Sequence, residues 1–187
     1  GNAVEAVDWT QKNLGRDEIK FLKSLPESLI IDNFLLAHGA PSDKIKYIFT
    51  SHDLSNENRY ISENMPGNIS VVLFGHTHIP TLYPAANNKK EINIIIGKTY
   101  NLKDLAENSV SNMKEVPLKR IKKRTYINPG SIGQPRDGNP DLSFAILDTD
   151  DMTIVWKRMG YNIKKVQKAI KAAGLPVTFA SRLELGK

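Results

Sequence analysis

Val71-Val72-Leu73-Phe74 runs directly into Gly75-His76-Thr77-His78. The apolar half is short, β-branched, aliphatic or aromatic, and bounded by Gly67 and Gly75, which predicts a buried strand that stops at the second glycine. Two imidazoles then stand at a strand's end. With one residue between them, His76 and His78 either point to one side of an extended segment or, in a turn after a glycine, splay toward two neighbouring ions.

A third histidine occupies an equivalent place. Phe34-Leu35-Leu36-Ala37 is a second short apolar run, and it ends in His38-Gly39-Ala40-Pro41, where glycine and proline turn the chain. In open α/β sheets the loops at the carboxyl ends of strands gather at the ligand crevice, so His38, His76 and His78 are expected to converge there as metal ligands. The plainer alternative is that each ring bonds a backbone carbonyl and fills loop space. His52, in the polar stretch Thr50-Ser51-His52-Asp53, has no apolar strand behind it and reads as solvated or as a local cap.

The order His38-Gly39, then Gly75-His76-Thr77-His78, then Asn128-Pro129-Gly130-Ser131 continuing to Gln134-Pro135-Arg136 resembles the calcineurin-like metallophosphoesterase superfamily. It is most similar to the bacterial predicted phosphoesterases grouped with diadenosine tetraphosphatases. The closing Ala172-Ala173-Gly174-Leu175-Pro176 and residues 180–186 resemble the tail of that group. The resemblance implies an α/β, four-layer α/β/β/α sandwich, with residues 1–187 forming a single domain that is the C-terminal, larger part of the unit. It also implies two divalent metal ions, Mn, Fe, Zn or Mg. His38 and His76 resemble ligands of one ion and His78 a ligand of the other, and a metal-activated hydroxide attacks phosphorus in line.

The chain departs from the family where it begins. The Asp-x-His and Gly-Asp segments expected ahead of the histidine motifs are absent from this sequence. Gly1-Asn2 is read as an accidental start rather than a relic of the third segment, because Ala3 stands where the family places its catalytic histidine. No catalytic residue is therefore assigned. A bridging carboxylate neutralises and spaces two adjacent ions, which neutral histidines cannot do, and no carboxylate here follows an apolar strand as the histidines do. Asp148, Asp150 and Asp151 read as a hairpin turn, and Asp43 and Asp53 as solvated loop residues.

Two residues of the third block are candidates for substrate. Arg136, on the rim of a glycine-rich turn, has a guanidinium suited to clamping a phosphate bidentately; its alternative is a structural pair with Asp137 or Asp141. Asn128 either reaches the substrate or, like Ser131, holds the turn.

Composition sets the outer limits. The 187 residues are 40% hydrophobic and 25% charged, with no cysteine, which fits a globular domain in the cytoplasm and leaves only His, Asp, Glu or Asn as metal ligands. No window approaches a membrane span, so no membrane partner is expected. The net charge of +6 and the basic run at residues 119–124 admit nucleic acid without favouring it, since stacking aromatics are scarce beside the run. The expected partner is a phosphorylated small molecule or nucleotide.

The remaining pattern predicts a covering helix at 17–25, a hairpin from Ile30-Ile31 through Asp32-Asn33 into 34–37, a short helix at 44–49, and strands at 81–83, 92–96 and 125–127. A terminal hairpin joins 142–147 to 153–157, and an amphipathic helix at 163–173 ends at Gly174. Residues 97–123 read as an insertion over the sheet rim or a flap. The function expected is metal-dependent hydrolysis of phosphate mono- or diesters. The alternative is a non-catalytic protein-binding scaffold on the same fold.

Overall fold

The computed structural model describes residues 2–84 and 115–187. Its centre is a five-stranded sheet built from β1 (Ser28–Ile31), β2 (Phe34–Ala37), β3 (Val71–Leu73), β4 (Thr81–Pro84) and β6 (Thr125–Asn128), in the order β1-β2-β3-β6-β4. The hairpin into His38 forms as the sequence predicts: β1 and β2 pair antiparallel across Asp32-Asn33, with Asp32 at a left-handed φ of 52°. β2, β3 and β6 run parallel in the middle, and β4 returns antiparallel at the edge. The three parallel strands therefore deliver His38, Gly75 and Asn128 to one end of the sheet.

Alternation along these strands builds two cores. Leu35, Val72 and Tyr126 face one side and pack with Leu54 and Ile61 of helix α3 (Ser51–Asn64). Phe34, Val71 and Ile127, one position earlier or later, face the other side and meet Leu118, Ile154 and Trp156. The last three belong to the 3-10 turn Leu118–Arg120 and to a second sheet of β5 (Val116–Pro117), β7 (Leu142–Asp148) and β8 (Thr153–Met159), in the order β5-β8-β7. Three layers of the expected sandwich, α/β/β, are thus present among the described residues. The mixed α/β class is the one expected.

The helix expected at 44–49 does not form. That segment is a turn followed by extended chain, and the helix starts at Ser51 instead, so His52 and Asp53 lie in its first turn rather than in a loop. The physical reason is the cap: Thr50 Oγ1 accepts from the Asp53 N–H, and the Asp53 carboxylate accepts from the Thr50 N–H. Asp53 is consequently not the solvated loop carboxylate expected, while His52 is exposed.

Helices α1 (Asn2–Asn13) and α2 (Arg16–Ser24) precede β1. The covering role expected for the second is not seen: α2 has no buried residue, and Phe21 and Leu22 are exposed. At the other end, α4 (Ile163–Ala172) ends as predicted, in a Schellman arrangement with Gly174 at φ 70° and the Leu175 N–H donating to the Ile170 carbonyl. A short helix α5 (Val177–Ser181) and a 3-10 turn Leu183–Leu185 follow. The strand expected at 92–96 and most of the 97–123 segment lie outside the described residues.

Candidate metal centre

Each of the three histidines leaves its strand through a backbone device. After β2, the Gly39 position lies against the Lys44 carbonyl so closely that a side chain has no room. After β3, the Gly75 N–H donates to the His38 carbonyl at 2.8 Å, tying the two loops together. His76 and His78 then adopt left-handed φ values of 65° and 61° on either side of the buried Thr77. Such values are uncommon outside glycine and mark a local conformation held by its surroundings.

The surroundings are visible. The fully buried Asn128 donates through Nδ2 to the Gly75 carbonyl at 2.8 Å and to Thr77 Oγ1 at 3.0 Å, while its Oδ1 accepts from the Gly130 N–H. Its backbone carbonyl accepts from the Trp156 indole. Every polar atom of the Asn128 side chain is engaged inside the protein. These bonds fasten the turn that follows β6 to the loop that follows β3. Ser131 acts inside the turn, its Oγ accepting from the Gly133 and Gln134 N–H groups. Gly130, at φ 90°, leaves no room for a Cβ against Ser143.

His38 and His76 meet directly: Nε2 of His38 lies 3.0 Å from Nδ1 of His76, and the rings sit edge to face. His76 Nε2 lies 2.9 Å from the Ile45 carbonyl oxygen and His78 Nδ1 lies 2.7 Å from that of Gln134. A carbonyl only accepts, so these two nitrogens carry the ring protons, and each neutral ring keeps one lone pair on its other nitrogen. The carbonyl-bonded role allowed by the sequence leaves the second nitrogen of each ring without that proton. Burial, together with the charge of His76, lowers the pKa of His38. Burial is also the largest influence lowering His78, with Arg136, His76 and His38 adding to it against the opposing Gln134 carbonyl bond.

Two ligand nitrogens at right angles on one ion, each about 2.1 Å from it, lie about 3.0 Å apart, so the His38–His76 pair fits two positions on a single divalent ion. The His78 ring is held instead by the Gln134 carbonyl. Among the described residues no group of three or more His, Cys, Asp or Glu converges into a complete cation site. The donors present therefore match the histidine part of a metal site only.

The surrounding wall was not legible in the sequence. The Tyr47 ring stacks on His76 and Phe49 stacks on Tyr47, with centroids 4.1 Å and 5.1 Å apart. Glu57 of α3, buried, accepts from the Ser42 N–H at 2.9 Å, from Ser42 Oγ at 2.7 Å and from Lys46 Nζ at 2.8 Å, anchoring the loop that presents Ile45 and Tyr47. Beneath His38, an apolar cleft of about 370 Å³ runs between the sheets, lined by Leu36, Leu73, Ile127, Ala145 and Leu147.

Arg136 lies on the far rim. Its guanidinium reaches Tyr47 Oη at 3.4 Å and Gln134 Oε1 at 3.2 Å. The structural pairing allowed by the sequence is not formed: Asp137 is taken by the buried Arg158, and the Asp141 carbonyl accepts from the same guanidinium. Among the described residues no carboxylate pairs with Arg136. The basic run at 119–124 is partly engaged inside the fold, since Arg124 binds the Ile69 carbonyl and Asn58, and Lys119 the Asp150 carbonyl. No helix among the described residues is long and apolar enough to cross a membrane.

With this geometry in place, comparison with known proteins identifies the family. A model of the calcineurin-like phosphoesterase superfamily domain matches residues 6–152, and the chain belongs to that superfamily. An uncharacterized protein of Methanocaldococcus jannaschii is 30% identical over 192 residues, covering 97% of this chain and 65% of the relative, so this chain spans just under two thirds of that relative's length. A metallophosphoesterase from Sphaerobacter thermophilus superimposes with a TM-score of 0.73 at 26% identity, over 96% of this chain and 66% of the other. A hypothetical protein from Pyrococcus horikoshii shares the fold, with a TM-score of 0.62 at 17% identity, covering 95% of this chain and 57% of the other.

Proposed function

We propose that this domain hydrolyses phosphate mono- or diesters with the aid of two divalent metal ions, manganese, iron, zinc or magnesium, at the strand ends where His38, His76 and His78 stand. The observation that carries this reading is the fixed tautomer of His76 and His78: each ring donates to a backbone carbonyl through one nitrogen and keeps a lone pair on the other, which for His76 faces His38. Superfamily membership supports the same chemistry. Bound divalent ions supply Lewis acidity toward a phosphoryl oxygen.

The chain's own residues do the rest. His38 and His76 would hold one ion and His78 the other. Asn128 fixes the loop that carries both members of the second motif, acting on the site from behind. Arg136, whose backbone N–H donates to the His78 carbonyl at 3.2 Å, clamps phosphate oxygens. The substrate is a phosphorylated small molecule or nucleotide, and the cysteine-free composition suits the cytoplasm.

Calorimetric titration with Mn²⁺ and Zn²⁺, followed by assay on an aryl phosphate and its diester, tests this. His76→Asn and His78→Asn are expected to weaken metal uptake by at least roughly tenfold and to reduce any turnover with it. Unchanged metal uptake in both variants overturns the reading. Metal binding without turnover on either ester would favour a scaffold role.

A further inference from the structure

The two sheets meet at the turn that leaves β6. Trp156 of β8, only 2% exposed, donates its indole N–H across the interface to the Asn128 carbonyl, 2.9 Å away. On β7, Ser143 Oγ donates to the Pro129 carbonyl at 2.8 Å, and the Ser143 N–H donates to the Ser131 carbonyl at 2.8 Å. Between these bonds Gly130 runs so close that a Cβ there would stand 2.6 Å from the Ser143 side chain. Residues 128, 129 and 131 are thus each fastened to the second sheet, although none of the three histidines belongs to that sheet.

The turn hands this constraint on to the histidines. Asn128 grips the Gly75 carbonyl and Thr77 Oγ1, one on each side of His76. Ser131 Oγ accepts from the Gln134 N–H, and the Gln134 carbonyl accepts from His78 Nδ1. Both histidines hold left-handed φ values, which residues other than glycine keep only where their surroundings over-determine them. Trp156 serves two ends here. Its ring packs in the core with Val71, Ile127 and Ile154, a role that another aromatic ring could fill. Its N–H, which can only donate, holds the main chain of Asn128 in register with the second sheet. A phenylalanine would keep most of the packing and leave that buried carbonyl without its indole donor.

We propose that Trp156 is a positioning residue for the histidine centre: through its bond to the Asn128 carbonyl the second sheet sets where His76 and His78 stand, and Ser143 supports it through the same turn. The proposal rests on the metal reading of the histidines only where metal uptake is measured. The ring orientations that it accounts for exist in the metal-free protein, where a spectrum can follow them.

The test compares Trp156→Phe with the unaltered protein by calorimetric titration with Mn²⁺ and Zn²⁺ and by long-range ¹H–¹⁵N spectra of the metal-free imidazoles. Uptake is expected to weaken roughly tenfold, the lower end of what an outer-shell support contributes, and His76 and His78 should each lose their single tautomer. Ile154→Val, a cut in the same core by a side chain that makes no hydrogen bond, should lower the Tm and leave both readouts unchanged. In an Asn128→Ala background, Trp156→Phe should weaken uptake by less than about twofold more, because the link through which it acts is already cut. Either readout left unchanged by Trp156→Phe overturns the proposal, as does full additivity with Asn128→Ala or an equal loss in Ile154→Val. Should Trp156→Phe fail to fold by circular dichroism, Ser143→Ala, which removes the Oγ bond to Pro129, becomes the deciding variant, and tautomers that it leaves fixed overturn the proposal. If the unaltered protein takes up no metal, the hydrolytic reading falls, and the imidazole spectra alone decide the positioning role.

Discussion

The imidazole of His76 lies nearly parallel to the phenol ring of Tyr47, with centroids 4.1 Å apart and an angle of 17° between the planes. Together with the Ile45 carbonyl on Nε2, this stack holds the ring with Nδ1 facing His38.

Removing the stack should loosen the ring without touching a ligand atom. Tyr47→Phe keeps the aromatic face and is expected to hold metal affinity within about twofold, whereas Tyr47→Ala should weaken it roughly tenfold, as loss of an outer-shell support does. Titration with Mn²⁺ or Zn²⁺ measures both, and equal affinities in the two variants would show that the stack has no orienting role.

Glu57 ties α3 to the loop that presents both Tyr47 and the Ile45 carbonyl. Its carboxylate is buried and accepts three hydrogen bonds, while its Lys46 partner remains partly exposed. Glu57→Ala should destabilise the fold by about 3 kcal/mol, a figure reduced from that of a fully buried pair because water still reaches Lys46. Urea unfolding monitored by tryptophan fluorescence reports it, and a loss below about 1 kcal/mol would show that the loop is held by other contacts.

Behind the Arg136 loop, Asp137 and Arg158 are both almost fully buried and paired with each other. Breaking this pair from one side strands the other charge. Asp137→Ala should lower stability by about 3–5 kcal/mol, while the double change Asp137→Leu with Arg158→Met should recover most of that loss. Denaturation of the single and double variants decides the point: a double variant no better than the single would mean that the pair also holds the loop geometry.

The Thr50–Asp53 cap predicts an acid limb to stability. Burial acts to raise the Asp53 pKa, but hydrogen bonds from the Thr50 side chain, the Thr50 and Phe49 backbone N–H groups and the charge of Lys46 bring the net value below that of an ordinary carboxyl. A carboxyl depressed in the folded state binds fewer protons there than in the unfolded chain. Its contribution is therefore complete above the unfolded value of about 3.9 and fades as pH falls through the folded value. Thr50→Ala should cost about 1 kcal/mol at neutral pH and flatten the slope below pH 4 relative to the unaltered protein. Thermal melts across that range test the sign, and a steeper slope in the variant would contradict it.

The sequence made the strand ends readable because each signal was local. Four apolar residues followed by glycine mark both the end of β3 and the turn into His76, and the same logic holds for β2 and His38. Helix α3 was missed because Leu54, Tyr60 and Ile61 are nearly its only apolar residues; the usable signal was Thr50-Ser51-His52-Asp53, a capping sequence. Ile45, Ile48 and Phe49 suit a helical period across 44–49, yet Glu57, 11 residues beyond Lys46, pins the segment as a loop. Tyr47 reaches the site only through long-range packing, which leaves no mark at the spacing of neighbours in a chain. The two roles the sequence leaves open for Asn128 and Arg136 turn on burial and on long-range partners: Asn128 is buried and bonded within the turn, and Asp137 pairs with Arg158.

The left-handed backbone at His76 and His78 sets the interests of folding and chemistry against each other. Glycine would relax either position, since a side chain there costs roughly 1–2 kcal/mol. A version of this protein selected for durability alone would accumulate His76→Gly and His78→Gly and melt at a higher temperature. Thermostabilising libraries screened only for surviving fold should therefore enrich changes at these two positions, and the same libraries screened for metal retention should exclude them. Where the two screens diverge, they map the part of the molecule that is kept for a reason other than its own stability.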